Sequence, residues 1–272
     1  MDVLDVNDEV PTFATSFRGV IKENSPAGTP VQVGPPAVHA VDNDAGNNSL
    51  IHYSLDGEGS QMFTILDSGT VLYTPADSSH VLDREQKAKY LLHVSATDAG
   101  NLSSSTTLTI DIEDENDNPP VFQHGPLFVL LPEIARPGSR VVQVKAVDAD
   151  EPGLNSKVQY YITNGGRGEL KMDKNTGEVF VVGSLKPGSV YYLNVSAVDR
   201  GGLSARTTIN VTVVDVNDHK PVFDHRVYNF EVAEGNYTGD HVKLGEIHAK
   251  DEDIGRNGEV EYSILNNVGV GE

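Results

Sequence analysis

The sequence predicts an all-β protein that consists of tandem β-sandwich modules of about 100 residues each. The first observation is a motif that occurs three times, as LDVNDEVPTF (4–13), EDENDNPPVF (113–122) and VDVNDHKPVF (214–223). The second is the alternation of apolar and polar residues in TTLTIDIED (106–114) and TTINVTVVD (207–215), which is typical of half-buried strands. The third is that no segment has the 3.6-residue period of an amphipathic helix.

Two further motifs indicate that the chain is built from repeats. An acidic motif follows each copy of the first, as VDNDAGNNSLIHYS (41–54), VDADEPGLNSKVQYY (147–161) and KDEDIGRNGEVEYS (250–263). A third motif occurs as VSATDAGNLS (94–103) and VSAVDRGGLS (195–204), and its next copy would lie beyond the end of the chain. Clusters of Gly, Pro, Asn and Asp separate the strands. We therefore expect two complete repeats of about seven strands, each of immunoglobulin-like size, and part of a third.

The composition excludes several classes of function. The 272 residues include 40 acidic and 20 basic side chains, and the formal net charge of −20 argues against a nucleic-acid partner. The absence of cysteine excludes disulfides and thiolate metal sites, so small secreted modules need another stabiliser, most simply a metal. No apolar run of about 18 residues is present to span a membrane, and residues 1–10 lack the pattern of a signal peptide. We expect the chain to be a piece of a longer protein.

The repeated acidic motifs have the composition of calcium ligands. Ca²⁺ binds six to eight oxygens from carboxylates, amides and backbone carbonyls, and the residues that these motifs share are Asp, Glu and Asn. A single Asp-x-Asp is most often a solvated surface pair, so ordinary acidic loops are the alternative interpretation. Three acidic motifs that recur together favour calcium binding over that alternative.

Taken together, DxNDNxPxF, DxDxGxN, VxAxD and LDRE resemble the extracellular cadherin repeat over essentially the whole chain. The resemblance implies seven-stranded, Greek-key, immunoglobulin-like β-sandwiches joined end to end, with up to three Ca²⁺ at each joint. The chain contains no Trp, so the tryptophan strand exchange of vertebrate adhesion cadherins is not expected in it. The implied segments are the end of an upstream linker (1–10), repeat A (11–113), calcium linker 1 (114–118), repeat B (119–214), linker 2 (215–219) and a truncated repeat C (220–272).

At linker 1 the resemblance implies a complete site for three Ca²⁺. The implied ligands are Glu23, Asp83, Glu85, Glu115, Asn116, Asp117, Asn118, Asp148, Asp150, Asn155 and Asp199, with Glu115, Asn118 and Asn155 acting through their carbonyls. A matching half-site at the N-terminal end comprises Asn7, Glu9, Asp42, Asp44, Asn48 and Asp98. Glu9 replaces the usual Asn, which matters little for a backbone ligand. Arg84 in the LDRE motif is interpreted as a surface or packing residue.

Linker 2 departs from the family pattern. Alignment of the two complete repeats places Lys186 opposite Glu85 and Ser184 opposite Asp83, so two acidic ligands are missing there. The base Glu is retained as Glu133. The other implied ligands are Asn217, His219, Asp251, Asp253 and Asn257.

The missing acids predict zero to two Ca²⁺ at linker 2 and a bent or flexible joint. Lys186 is expected to act as a substitute cation that pairs with Glu133 or Asp218. The alternative is that another acid, such as Glu178, completes the site from a different strand.

The resemblance implies a fragment of a calcium-dependent cell–cell adhesion ectodomain, at the extracellular face of the plasma membrane. The parent would be a single-pass membrane protein of the Fat, Dachsous, invertebrate N-cadherin or long-protocadherin type. The expected partner is another cadherin ectodomain, homophilic or heterophilic, with no nucleic acid, no small-molecule substrate and no membrane contact except through other parts of the parent. One alternative is a mechanical or receptor spacer without adhesive contacts.

A further alternative is an enzyme with calcium-stabilised modules, but no motif in the chain supports catalysis. Acceptor triplets for N-glycosylation fit a secreted glycoprotein, although each triplet alone is a weak signal. These triplets begin at Asn47, Asn101, Asn194, Asn210 and Asn236.

Overall fold

The computed structural model describes residues 5–34, 37–77, 79–166, 168–235 and 242–265. Residues 1–4 of the expected upstream linker, Asn236 among the acceptor triplets and residues 266–272 of the expected repeat C lie outside these ranges. The chain divides into two compact units, and each has its own hydrophobic core. The first unit contains residues 1–120, 148–157 and 199–203, and the second contains 121–147, 158–198 and 204–272.

The described residues of the first unit form a β-sandwich of nine strands. The strands are β1 (Thr12–Phe13), β2 (Phe17–Lys22), β3 (Gln32–Gly34), β4 (Ala40–Val41), β5 (His52–Asp56), β6 (Phe63–Ile65), β7 (Val71–Tyr73), β8 (Lys89–Thr97) and β9 (Ser103–Glu113). Five of them pair in the order β3-β2-β9-β8-β5, β1 pairs with β4, and β6 pairs with β7. The first long strand, β2, runs parallel to the last strand, β9, whereas the other described pairs are antiparallel.

The alternating sequences of β8 and β9 explain why they form the centre of this sandwich. Successive side chains of a strand point to opposite faces, so one row enters the core and the other faces water. In β8, Leu92 and Val94 are fully buried, whereas Leu91, which lies between buried Tyr90 and Leu92 in the sequence, points outwards and is 59% exposed. In β9, Leu108 and Ile110 continue the buried row.

The described residues of the second unit contain eleven strands. They are β10 (Val121–Phe122), β11 (Leu127–Pro132), β12 (Arg140–Gln143), β13 (Ala146–Val147), β14 (Gln159–Asn164), β15 (Leu170–Met172), β16 (Glu178–Val181), β17 (Val190–Val198), β18 (Ser204–Val214), β19 (Val222–Phe223) and β20 (Ala249–Lys250). One sheet has the order β11-β18-β17-β14 and faces a second sheet of order β12-β16-β15 across a shared core. The pairs β10–β13 and β19–β20 are separate and antiparallel, while β11 runs parallel to β18.

The all-β fold class is confirmed. The only helices in the described residues are two short 3₁₀ segments, Gly46–Ser49 and Ser60–Met62. The alternating segments 106–114 and 207–215 lie almost entirely in β9 and β18, as predicted. No described helix is long and apolar enough to cross a bilayer.

Two adjacent leucines of β8 give a matched test of this packing. Leu92→Ala is expected to lower the free energy of unfolding of the first unit by about 2–5 kcal/mol, because it leaves a cavity in the core. Leu91→Ala removes the same atoms from an exposed position and should change it by less than about 0.5 kcal/mol. Denaturant unfolding in saturating calcium measures both. Equal effects of the two substitutions would show that β8 is paired in another register.

Candidate calcium sites

Glu23 is the buried carboxylate around which the base of linker 1 is organised. It follows β2 directly, and its N–H donates to the Glu113 carbonyl at 3.0 Å, which extends the pairing of β2 with β9. One carboxylate oxygen accepts the Arg84 N–H at 2.8 Å, and the other accepts the Glu115 N–H at 2.7 Å. Glu23 is only 1% exposed, and it connects the end of β2 to the LDRE loop and to the linker.

Three aspartates beyond linker 1 each use one carboxylate oxygen for backbone contacts. Asp148 accepts the Asp150 N–H at 3.1 Å, and Asp150 in turn accepts the Asn118 N–H at 3.2 Å. Asp199 accepts two N–H groups of its own turn, at 2.6 and 2.9 Å. The second oxygen of each aspartate, and Oδ1 of Asn116, is buried without a hydrogen bond to any described residue. Buried carboxylate oxygens without a partner are strongly unfavourable, so the geometry fits a cation at this place.

The carboxylates of linker 1 form three overlapping clusters, each with oxygens within 4.8 Å of one another. The clusters are Glu23, Glu85 and Asp117; Glu85, Asp114 and Asp150; and Asp148, Asp150 and Asp199. Two oxygens bound to the same Ca²⁺ are at most about 5 Å apart, so each cluster has the dimensions of one ion site. Glu85 and Asp150 each belong to two clusters, and the three therefore form one continuous row of oxygens.

Two glycines make room for the asparagines that precede this row. A Cβ at Gly201 would overlap Oδ1 of Asn116, and a Cβ at Gly100 would overlap Oδ1 of Asn7. Each glycine lies two residues after the Asp of the third repeated motif. Any other residue would displace an amide oxygen that is a candidate ligand.

An aspartate two residues before each linker asparagine shapes the acidic loop, and no role was predicted for it from the sequence. Asp114 accepts the Glu151 N–H at 2.9 Å on one oxygen and Nδ2 of Asn155 at 2.7 Å on the other. The equivalent hydrogen bonds are those from Ala45 N–H and Asn48 Nδ2 to Asp5, and from Ile254 N–H and Asn257 Nδ2 to Asp215. The signal was present in the sequence, because an Asp stands at this offset in all three copies of the first motif.

Two residues of the LDRE motif have partners of their own. Asp83 accepts both the N–H and Nε2 of Gln86, at 2.9 and 2.6 Å, and it lies outside the three clusters. Arg84 forms an ion pair with Glu151 at 2.5 Å and lies 3.9 Å from Asp114. The Arg84 side chain is 19% exposed, so it places a partly buried positive charge beside the row of carboxylates.

The predicted carbonyl ligands have side chains that are occupied elsewhere. Lys22 Nζ lies 3.6 Å from the Glu115 carboxylate. Nδ2 of Asn118 donates to both Asp117 and Asp150, at 2.7 and 2.9 Å. The side chains of Glu115 and Asn118 therefore have partners of their own, and their backbone carbonyls remain the predicted ligands.

The N-terminal half-site repeats the geometry of the aspartates beyond linker 1. Asp42, Asp44 and Asp98 form a cluster of the same dimensions. Asp42 accepts the Asp44 N–H at 2.9 Å, and Asp44 accepts the Glu9 N–H at 3.3 Å. Oδ2 of Asp42 and Oδ2 of Asp98 are buried and have no hydrogen-bond partner in the described chain. Nδ2 of Asn7 and the Asn48 carbonyl are 3.4 Å apart, which completes the predicted set.

Linker 2 has the same backbone contacts but a different charge arrangement. Glu133 accepts the Val216 N–H at 3.2 Å, as Glu23 does for the linker 1 backbone. His219 Nδ1 lies 2.7 Å from Asp253 and 2.9 Å from Asp218, so an imidazole stands among the carboxylates. Asp251 and Asp253, in the part of the chain that the structure describes, have no buried oxygen without a hydrogen bond, unlike the aspartates at linker 1.

The predicted role of Lys186 is not what the structure shows. Lys186 is exposed beside Ser184 and Glu169, and no ion pair within the described ranges joins it to Glu133 or Asp218. The ammonium group of a Lys is more stable in water than beside a buried acid, because burial would remove its hydration. His219 lies on the linker itself and is therefore already close to the acids. Glu178, the alternative acid, pairs with Arg140 on the neighbouring strand at 2.9 Å and is therefore occupied.

The chain is similar in sequence and in fold to known proteins. The Cadherin domain family model matches residues 17–113 and 128–214. The chain is 33% identical over 278 residues to the Fat-like cadherin-related tumor suppressor homolog of Drosophila melanogaster, and 34% identical over 269 residues to protocadherin Fat 1 of Homo sapiens. These matches cover 99% and 97% of this chain but only 6% of each relative. A cis-dimer structure of protocadherin gammaB7 EC3-6 matches 94% of this chain and 64% of its own chain, with a TM-score of 0.72 at 31% identity.

Crowding of the carboxylates shifts their ionisation when no cation is bound. Desolvation and the charges of Glu23, Asp114 and Asp117 raise the pKa of Glu85 to about 7. Desolvation and the charges of Asp150 and Asp199 likewise raise the pKa of Asp148. At linker 2, the hydrogen bond to Asp253 and the charge of Asp218 raise the pKa of His219.

The raised pKa of Glu85 predicts an inverted pH dependence for the calcium-free protein. Between its ordinary value of 4.5 and about 7, Glu85 holds a proton in the folded state but not in the unfolded state. Folding then takes up protons, so the melting temperature of the first unit should fall as pH rises through this window. In saturating calcium the slope should reverse, because bound ligands must be deprotonated.

Glu85→Gln should flatten the calcium-free slope. Glu58→Gln is the matched control, because the hydrogen bond to Lys87 lowers the pKa of Glu58 and so places its titration below the window. Melting followed by circular dichroism at several pH values separates the variants. A calcium-free melting temperature that rises with pH in the wild type contradicts the prediction.

Proposed function

This chain belongs to the cadherin family, and from that membership and the geometry of linker 1 we propose that it is a segment of a calcium-dependent cell–cell adhesion ectodomain. Cadherin repeats in general bind calcium, and cadherins are not a family of enzymes. The observation that carries the proposal is the set of four buried oxygens without partners, on Asn116, Asp148, Asp150 and Asp199. Carboxylate and amide oxygens are the ligands that the divalent cation Ca²⁺ binds in proteins. The segments are those expected from the sequence, with repeats A, B and C at 11–113, 119–214 and 220–272.

Linker 1 is proposed to hold three Ca²⁺, one for each cluster. The six carboxylates proposed as ligands are Glu23, Glu85, Asp117, Asp148, Asp150 and Asp199, and six negative charges match three divalent ions. Asp114 belongs to the central cluster, but it is proposed to shape the loop and is not counted among the six ligands. Its hydrogen bonds from Glu151 and Asn155 hold that loop, and Arg84 at 3.9 Å balances its charge. Asp83 would join the site only after releasing Gln86.

The role proposed for these ions is to fasten the loops at 148–157 and 199–203 to the end of repeat A. Without them, the carboxylates in the row repel one another, and the repulsion is strongest where water is excluded. Extracellular modules typically bind calcium with Kd of about 10⁻⁴–10⁻³ M, so the sites would be filled outside cells. Calcium would then stiffen linker 1, and its removal would loosen it.

Linker 2 is proposed to be calcium-poor, with zero to two ions. The raised pKa of His219 favours a charged imidazole beside Asp218 and Asp253, where a Ca²⁺ would otherwise neutralise them. The hydrogen bond from His219 holds the pKa of Asp253 below its ordinary value although burial opposes this. Ser184 and Lys186 supply no ligand oxygens of the carboxylate type. Glu133 is then left as the base acid of an incomplete site.

The partner is proposed to be another cadherin ectodomain, and the location is proposed to be the extracellular face of the plasma membrane. The protocadherin gammaB7 structure supports the first point by likeness, because that protein was solved as a cis-dimer. The crystal structure of the protocadherin GammaB4 extracellular domain supports the second point by likeness, because it matches 93% of this chain and 40% of its own chain at 32% identity.

Asp150→Asn is the sharpest test of the linker 1 site, because Asp150 belongs to two clusters. Added calcium should raise the melting temperature of the wild type, because binding increases the free energy of unfolding by RT ln(1 + [Ca²⁺]/Kd). The variant should lose at least about tenfold in calcium affinity, which is about 1.4 kcal/mol. Asp56→Asn makes the same change of charge on β5, outside the clusters, and should bind like the wild type. A wild type that melts at the same temperature in calcium and in chelator would refute the proposal.

Restoring acids at linker 2 tests the proposed shortage of calcium there. The triple variant Ser184→Asp, Lys186→Glu and His219→Asn should bind at least one more Ca²⁺ than the wild type in isothermal titration calorimetry. Lys171→Glu makes a similar change of charge on β15 and should leave the stoichiometry unchanged. An unchanged stoichiometry in the triple variant would mean that linker 2 lacks something other than these ligands.

A further inference from the structure

The outward face of the sheet β11-β18-β17-β14 carries a group of exposed apolar side chains. Phe128 and Leu130 on β11 are 79% and 73% exposed, and Tyr192 on β17 is 66% exposed. Val190 lies two residues before Tyr192 on the same face and is also exposed. We call these four residues the apolar face. Large apolar side chains that lie together on a surface usually mark a place that something covers.

The matching face of the first unit is charged instead. There, Arg18 on β2 and Lys89 on β8 both pair with Asp111 on β9, at 3.0 Å. The strand registers of the two units correspond, so Phe128 occupies the position of Arg18 and Val190 that of Lys89. The apolar face is therefore a property of the second unit and not of the fold.

An acceptor triplet for N-glycosylation lies at the centre of the apolar face. Asn210 on β18 is the register partner of both Phe128 and Tyr192, and it therefore lies between the two rings. Thr212, the hydroxyl residue of the triplet, is likewise paired with Leu130 on one side. Neighbouring strands of a sheet lie about 4.7–4.9 Å apart, so a group on Asn210 is within reach of both rings.

We propose that Asn210 carries an N-linked glycan and that its first sugar rings cover Phe128 and Tyr192. In the transfer, Nδ2 of Asn210 bonds to the anomeric carbon of a lipid-linked oligosaccharide. The bond from that carbon to the pyrophosphate oxygen breaks, the lipid pyrophosphate leaves, and the proton of Nδ2 passes to solvent. The C–H groups of a sugar ring carry partial positive charge and suit the negative face of an aromatic ring. The proposal rests on the extracellular location proposed above, because the lipid-linked donor is met in the secretory route.

The remaining acceptor triplets lack this setting. Asn47 lies in the 3₁₀ segment that follows Asp42 and Asp44, and Asn101 has a positive φ of 67° in the turn that follows Asp98. Asn194 shares the sheet face with Asn210 but is paired with Thr208, and its neighbour on β14 is Asn164. Only Asn210 among the described triplets lies between two exposed aromatic rings.

Glycopeptide mass spectrometry of the chain secreted from cultured animal cells tests the modification directly. The peptide with Asn210 is expected to carry an oligosaccharide that peptide N-glycosidase removes. Thr212→Ala should abolish this oligosaccharide and leave the modification state of Asn194 as it is in the wild type. A folded, secreted chain with unmodified Asn210 would overturn the proposal, even if other triplets were occupied.

The covering of the apolar face is tested by the binding of a hydrophobic dye. Asn210→Gln should bind several-fold more dye than the glycosylated wild type, and Asn210→Gln combined with Phe128→Ser should return to the wild-type level. Asn194→Gln is the matched control on the same face and should bind dye like the wild type. Equal dye binding by Asn210→Gln and the wild type would show that the glycan does not cover the rings.

A second copy of the chain is the competing occupant of the apolar face. A dimer in analytical ultracentrifugation that Phe128→Ser abolishes, seen together with unmodified Asn210, would assign the face to self-association and overturn the glycan. Melting with and without calcium on the same samples reports on the proposed calcium binding separately, so a failure of the glycan proposal is distinguishable from a failure of calcium binding.

Discussion

Repulsion between carboxylates is the constraint on which the ends of these repeats depend. The acidic loops bring side chains of like charge within a few ångströms, which a folded chain tolerates only if each charge is compensated. At linker 1 each of Asp148, Asp150 and Asp199 has two differently placed oxygens. One accepts backbone N–H groups, and the other is buried without a partner, where a cation would compensate its charge. At linker 2 His219 takes part of that compensation inside the chain. Such a loop can therefore balance its carboxylates partly with a side chain of the chain itself, in addition to the cation proposed at linker 1.

Much of this arrangement could be predicted from the sequence pattern, and the predictions that were missed or wrong have identifiable physical reasons. Alternation of apolar residues predicts β9 and β18, and the repeated Asp-x-Asp predicts which carboxylates converge. The role of Asp114 was missed because its oxygens bond within a loop whose geometry has no periodic signature, although the residue itself repeats. The predicted ion pair of Lys186 was wrong because alignment locates only the backbone of a residue. It does not determine whether a long side chain points into water or towards an acid.

The two units show how little of a surface the fold determines. β2 and β11 have the same pairing register with their last strands, and their inward residues build equivalent cores. Their outward residues differ completely in character, from ion pairs around Asp111 to the aromatic rings beside Asn210. Core positions are constrained by packing, whereas outward positions are free to acquire charge, apolar contacts or modification.

The parallel pairing of β2 with β9 determines how a repeat responds to a pulling force. Tension applied through the two ends of repeat A draws β2 by its first residue and β9 by its last. Because the strands are parallel neighbours, from Phe17 beside Leu108 to Lys22 beside Glu113, this tension acts along them in shear. All the hydrogen bonds of the ladder then share the force and must break together, whereas an antiparallel hairpin pulled from one end would unzip one bond at a time. The parallel pairs β2–β9 and β11–β18 thus give repeats A and B a resistance to stretching that requires no ion at all.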